Sequence, residues 1–107
     1  MYFAIICKDR PDALALRART RPDHLAYLDP FRDSILFAGP FLESGTDNSV
    51  GGLIVIDLPD LAAARAFAEG DPYAVAGLFD DAAALAQPVL RADAAADFRE
   101  SIGGLAE

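Results

Sequence analysis

Three short apolar runs, the last two separated only by a polar loop, restrict this chain to a narrow set of folds. Tyr2 to Cys7 is nearly continuous in β-forming residues and is bounded by Lys8-Asp9-Arg10-Pro11, so it reads as a buried first strand. Ser34 to Phe41 reads as a second strand, in which Gly39-Pro40 is expected to end regular pairing because proline cannot donate to a ladder. Val50 to Asp57 is the third. The turn formers from Glu43 to Ser49 make an antiparallel hairpin the simplest pairing of the second and third strands. Gly51-Gly52 at the start of the third marks a bulge or a close approach by another group.

Helix-start chemistry occupies the intervals. Asp9 reads as an N-cap, with Pro11 in the first turn, Asp12 near the positive end of the dipole, and Leu14 and Leu16 following. Thr20-Arg21-Pro22-Asp23 then resembles a capping box, with Leu25 and Leu28 as the apolar stripe beyond it. The expectation is a broken helix with His24 in the first turn of its second half. Leu61 to Glu69 carries strong helix formers, with Leu61, Ala64, Phe67 and Ala68 on one side, and Gly70 ends it. Asp71-Pro72-Tyr73 opens another short helix reaching about Leu78. Ala83 to Arg91 is the candidate last strand, although Asp81 to Gln87 alone has helical composition. The tail from Asp93 reads as a short helix, with Phe98 and Ile102 at i, i+4.

The order βαββαβ is the ferredoxin-like arrangement, an α+β fold with an antiparallel sheet and helices on one face. Because the strand runs hold few polar positions, the second sheet face also reads as buried, and a second copy of the chain is the simplest cover: a homodimer. At 107 residues and 53% hydrophobic, the chain fits one domain, residues 1–91, followed by a tail over residues 92–107. A net charge of −8 argues against nucleic acid and anionic membrane surfaces as partners. No apolar run approaches the roughly 20 residues needed to span a bilayer. A single cysteine and a start without signal-peptide features place the chain in the cytoplasm as an expectation.

His24 is the only histidine and the one side chain suited to proton exchange near neutral pH. Placed in a first helical turn, it would be kept neutral by the positive end of the dipole. Arg17, Arg21, His24 and Leu28 follow i, i+4, i+7, i+11 spacing, so a continuous helix would align them, whereas a break at Thr20 would turn Arg17 away. The arginines could then hold a carboxylate or phenolate while His24 moves a proton. The plainer reading has both arginines as solvated surface residues paired with nearby aspartates and His24 bonded to backbone. Asp71 is both an expected helix cap and a carboxylate able to orient the imidazole. Tyr73 reads as a pocket residue or as core, and Cys7 as a buried small hydrophobe. No Cys, His or carboxylate cluster has metal-ligand spacing and no Gly-rich phosphate loop is present, so neither metal nor cofactor is expected.

Lys8-Asp9, Leu16-Arg17, the run Arg21-Pro22-Asp23-His24-Leu25-Ala26-Tyr27-Leu28, then Leu36-Phe37-Ala38-Gly39-Pro40, and finally Asp71-Pro72-Tyr73-Ala74-Val75-Ala76-Gly77-Leu78-Phe79, resemble the YciI-like family in order and spacing. The resemblance runs over roughly residues 1 to 91. It implies a dimeric α+β barrel and an active site formed by His24 and Asp71. The chain departs from the family pattern at Gln87-Pro88-Val89, where members often carry a more basic ending.

Together these point to a cofactor-independent enzyme that moves a proton on, or eliminates a group from, a small anionic or aromatic molecule. His24 would be the acid or base, with Asp71 orienting it. Arg17, Arg21, Tyr73, Gly39 and Pro40 would contact the substrate. The competing reading is a non-catalytic module that binds a small ligand or serves as a partner subunit. A haem- or oxygen-dependent monooxygenase rests on fold analogy alone.

Overall fold

The computed structural model describes residues 1–80 and 85–90. The expected tail helix with Phe98 and Ile102 lies outside the described residues, as do Ala83, Ala84 and Arg91 at the ends of the expected last strand.

The apolar runs form the strands β1 (Tyr2–Lys8), β2 (Ile35–Leu42) and β3 (Ser49–Asp57), joined by β4 (Leu85–Leu90) in one 4-stranded sheet. The order is β2-β3-β1-β4 and every neighbouring pair is antiparallel. Between the strands run α1 (Leu14–Leu28), a 3-10 segment (Asp29–Ser34), α2 (Leu61–Gly70) and the short α3 (Pro72–Val75). This is the α+β, ferredoxin-like βαββαβ order.

Register assigns the faces. Phe3, Ile5 and Cys7 of β1 lie opposite Ile56, Ile54 and Gly52 of β3, and this side packs with Leu28, Ala64, Phe67 and Ala68 of the helices. Burying these side chains against one sheet face is the main stabilising term of the fold. Asp60 caps α2 by accepting a 2.8 Å hydrogen bond from the Ala63 N–H. Tyr27, Phe31 and Phe67 close the far end as an aromatic group with ring centroids 4.8 to 5.7 Å apart.

Four local expectations are corrected. The break at Thr20 does not occur: Thr20 is buried within one continuous α1, and Pro22 sits inside that helix. A proline there deprives the Ala18 carbonyl of its usual donor, yet side chains on both halves are anchored to other elements, Arg17 upstream and His24 downstream. Asp9 is not a cap, since α1 begins five residues later without any side-chain cap, and its N–H instead donates to the Val50 carbonyl at 3.0 Å. Asp12, rather than favouring the helix dipole, lies before α1 with φ +57°, in the left-handed region. Finally, β2 continues through Gly39-Pro40 to Leu42, with Pro40 opposite Gly52. Proline is tolerated there because β2 is an edge strand with a single ladder partner, so only alternate N–H groups along it bond into the sheet.

The helix opened by Asp71 also ends sooner than expected, at Val75. Gly77 at φ +75° closes it in a turn in which the Leu78 N–H reaches the Tyr73 carbonyl at 3.0 Å. Both readings for the start of β3 find support: the β2 register shifts between Phe41 opposite Gly51 and Leu42 opposite Ser49, and a Cβ at Gly51 would lie 2.4 Å from the Cys7 carbonyl oxygen.

Candidate active site

An unbroken α1 sets Arg17, Arg21, His24 and Leu28 along one side, and all four line a cavity of about 540 Å³ between that helix and the sheet. Ile5, Cys7 and Ile54 form part of its floor, and Asp47, Asn48 and Ser49 of the hairpin border it. Gly39 and Pro40 line the same cavity from β2.

Asp71 reaches the cavity from the opposite side because it caps α3. Its Oδ1 accepts from the Tyr73 N–H at 2.9 Å, while His24 Nδ1 lies 2.8 and 2.9 Å from its two carboxylate oxygens. The Asp71 side chain is only 6% exposed and that of His24 14%. A carboxylate can only accept, so Nδ1 is a protonated nitrogen, and in the neutral ring Nε2 is the one that holds the lone pair. The dipole argument for a neutral His24 no longer applies, since the residue lies well inside α1 rather than in a first turn. The carboxylate contact selects the tautomer instead.

Tyr73 braces the pair. Its ring stacks on the imidazole with centroids 4.1 Å apart and planes at 21°, and it also meets the Arg17 guanidinium, whose carbon lies 4.6 Å from the ring centre. Burial pushes the Tyr73 phenol up, and the charges of Arg17 and Arg21 only partly oppose this, so the group stays protonated near neutral pH. Arg17 is itself held by Asp9, with Nε 2.6 Å from Oδ2 and Nη2 3.0 Å from Oδ1. Burial works against the Arg17 charge, but the hydrogen bonds and charge of Asp9 outweigh it and raise the guanidinium above its ordinary value. Arg21, by contrast, is exposed at the rim and makes no ion pair among the described residues.

Burial, reinforced by the charges of Asp71 and Asp9, pushes the Cys7 thiol up to about 12 against the opposing effect of Arg17, so it faces the cavity as a neutral group. Asp9 is the site residue that sequence reasoning missed, because it was read as a cap; its partner lies eight residues away across a turn that no periodicity reveals. The cavity-lining Phe79 was likewise missed, although it is T-shaped to Tyr73 at 6.1 Å.

Known proteins share this framework. The YCII-related domain matches residues 1–86. The chain is 33% identical over 87 residues to Protein YciI of an Escherichia coli O6:H1 strain, covering 75% of this chain and 89% of the relative. It is 32% identical over 88 residues to an uncharacterised protein of Haemophilus influenzae, covering 76% and 90% of the two chains. Among solved structures, it resembles the 5-chloro-2-hydroxyhydroquinone dehydrochlorinase of Burkholderia phenoliruptrix AC1100, determined in complex with 2,5-dihydroxybenzoquinone. That likeness has a TM-score of 0.79 and 33% identity over 88% of this chain and 98% of the other. The chain belongs to the YCII-related, or YciI-like, family.

Proposed function

We propose that this chain is a small-molecule enzyme in which His24 and Asp71 carry out proton transfer on a small anionic or aromatic substrate. The observation that carries this reading is the His24–Asp71 contact at the cavity wall, with Nδ1 engaged and Nε2 left as a base. In the forward step Nε2 takes a proton from a hydroxyl or carbon of the substrate. The electron pair released either expels an anionic leaving group with its bonding pair, which is elimination, or is reprotonated elsewhere by the imidazolium, which is isomerisation. Asp71 stabilises the imidazolium formed in between. Arg21, together with the part of the Arg17 guanidinium not engaged by Asp9, offsets negative charge on the substrate. Apolar Leu14, Leu25 and Leu28 beside these polar groups suit a ring with one polar edge.

The dehydrochlorinase likeness supports the same chemistry, since its substrate is a small halogenated ring. An apolar sheet face that no described residue covers supports a homodimer. A turnover screen of small hydroxylated and halogenated ring compounds, run on wild type, His24→Ala and Asp71→Asn, tests the catalytic reading. The expected result is turnover that falls by roughly 10²-fold or more in His24→Ala, and falls in Asp71→Asn as well because the tautomer is no longer imposed. A compound that binds wild type tightly without being turned over would instead favour a binding module.

A further inference from the structure

The two cavity arginines differ in a way their shared helix face conceals. Arg21 stands at the rim without a carboxylate partner among the described residues, whereas both Nε and Nη2 of Arg17 are engaged by one buried aspartate. We infer that Asp9 is a positioning residue of this site, acting through Arg17 and Tyr73 to hold the His24 ring in the plane that points Nδ1 at Asp71. The inference rests on the catalytic reading for its link to turnover, but its geometry stands independently.

Each link is a contact. Asp9, with a side chain 4% exposed, is fixed by its backbone: its N–H donates to Val50, it forms a bridge with Phe79, and the Arg10 N–H donates to Leu78 at 2.9 Å. The segment carrying Asp9 is therefore pinned to both β3 and the stretch that follows α3. The two parallel hydrogen bonds to Asp9 set the plane of the Arg17 guanidinium as well as its place, which a single point contact would not do. That guanidinium meets the Tyr73 ring, and the Tyr73 ring stacks on His24. The Tyr73 N–H in turn donates to Asp71 Oδ1, the oxygen that His24 Nδ1 approaches to 2.8 Å. Without the stack, the Asp71 contact fixes one edge of the imidazole and leaves its plane free to rock. The network is closed: Arg17 and His24 share α1, Asp71 caps the α3 that carries Tyr73, and Asp9 ties Arg17 to the sheet.

A buried ion pair that merely holds the fold together would lose stability when broken and alter nothing else. Because the chain has one histidine, the imidazole nitrogen resonances of the ¹⁵N-labelled protein belong to His24 alone and report its tautomer without any substrate. Arg17→Lys keeps an ion pair with Asp9 but loses the flat face against Tyr73, Asp9→Asn loses the charge, and the Asp9→Asn/Arg17→Met double variant removes both charges together so that no ion is stranded. Tm and circular dichroism verify folding. The expected result in the folded variants is loss of the single Nδ1–H form in favour of a tautomer mixture and a kcat lowered by about tenfold or more, as misplacement of a base produces, with KM nearly unchanged in Asp9→Asn, which keeps the Arg17 guanidinium, and raised as well where Arg17 itself is replaced. Arg21→Ala should do the reverse, raising KM while leaving the Nδ1–H form intact. If Arg17→Lys and the double variant keep the wild-type tautomer and lose only thermal stability, Asp9 holds the fold and the inference is overturned. Should the protein turn over no compound at all, the catalytic reading falls while the tautomer measurement still decides the role of Asp9.

Discussion

Cys7 occupies the cavity floor within the field of Asp71 and Asp9, and its thiol is pushed up from 9.0 to about 12, by burial first and by the two carboxylates second. The folded protein therefore holds the proton that the unfolded chain releases near pH 9. Stability linked to Cys7 is fully present below pH 9 and is lost as pH rises from there toward 12. The expected outcome is that Cys7→Ala shows a shallower fall in stability than wild type over that alkaline window, measured by urea unfolding at a series of pH values. Iodoacetamide near pH 8 should leave the folded thiol unmodified and label it in denaturant, read by mass. The residue scale also shows what sequence can and cannot reveal. Asp71 was legible as a cap because Asp-Pro is a local signal, and a cap leaves carboxylate lone pairs to spare, but it was the family resemblance that singled it out as the partner of His24. Asp9 carried an equally plain local signal that was misleading, since a distant arginine claimed the side chain instead.

Helix α2 ends against a side chain from α1, and a glycine makes that contact fit. Tyr27 donates its hydroxyl to the Phe67 carbonyl at 2.9 Å, and a Cβ at Gly70 would stand 2.6 Å from the Tyr27 oxygen. Glycine to alanine within a helix ordinarily stabilises by roughly 0.5–1 kcal/mol. Here the sign reverses: Gly70→Ala is expected to cost about 1–3 kcal/mol by displacing the hydroxyl from its acceptor. In a Tyr27→Phe background the same substitution should cost less, because the clashing oxygen is gone, and thermal unfolding of the four proteins measures the difference. The same pair of elements explains how far the helices were legible. The buried stripe Ala64, Phe67 and Ala68 of α2 was readable from period and caps. The continuity of α1 was not, because Thr20-Arg21-Pro22-Asp23 is locally a helix start. What overrides it, the ties of Arg17 to Asp9 and of His24 to Asp71, involves residues brought together only by the fold.

At the scale of the whole molecule, the helices cover one sheet face, and no described residue covers the other. Ile6, Phe37 and Phe41 lie on that second face at 38%, 53% and 41% exposure. The two phenyl rings lie over glycines, Phe37 within 3.1 Å of a Cβ at Gly39 and Phe41 within 3.1 Å of one at Gly51, so neither projects as an isolated knob. This is the pattern anticipated from strand runs with few polar positions, and a contiguous apolar face of this kind favours a matching surface. A second copy supplies one through a two-fold axis, since each chain brings the same patch. The charge of −8 on each copy opposes pairing at long range, so the dimer should tighten as salt screens it. Sedimentation of the wild type is expected to show a dimer, with the monomer fraction falling as ionic strength rises. Phe37→Asp should yield a folded monomer, because a carboxylate on an apolar two-fold interface meets its own copy as well as losing its water. Val75→Asp, on the highly exposed α3 position away from the sheet, should remain dimeric. A wild type that sediments as a monomer at all salt concentrations, or a Phe37→Asp variant that stays dimeric, would show that this face is not where two copies meet.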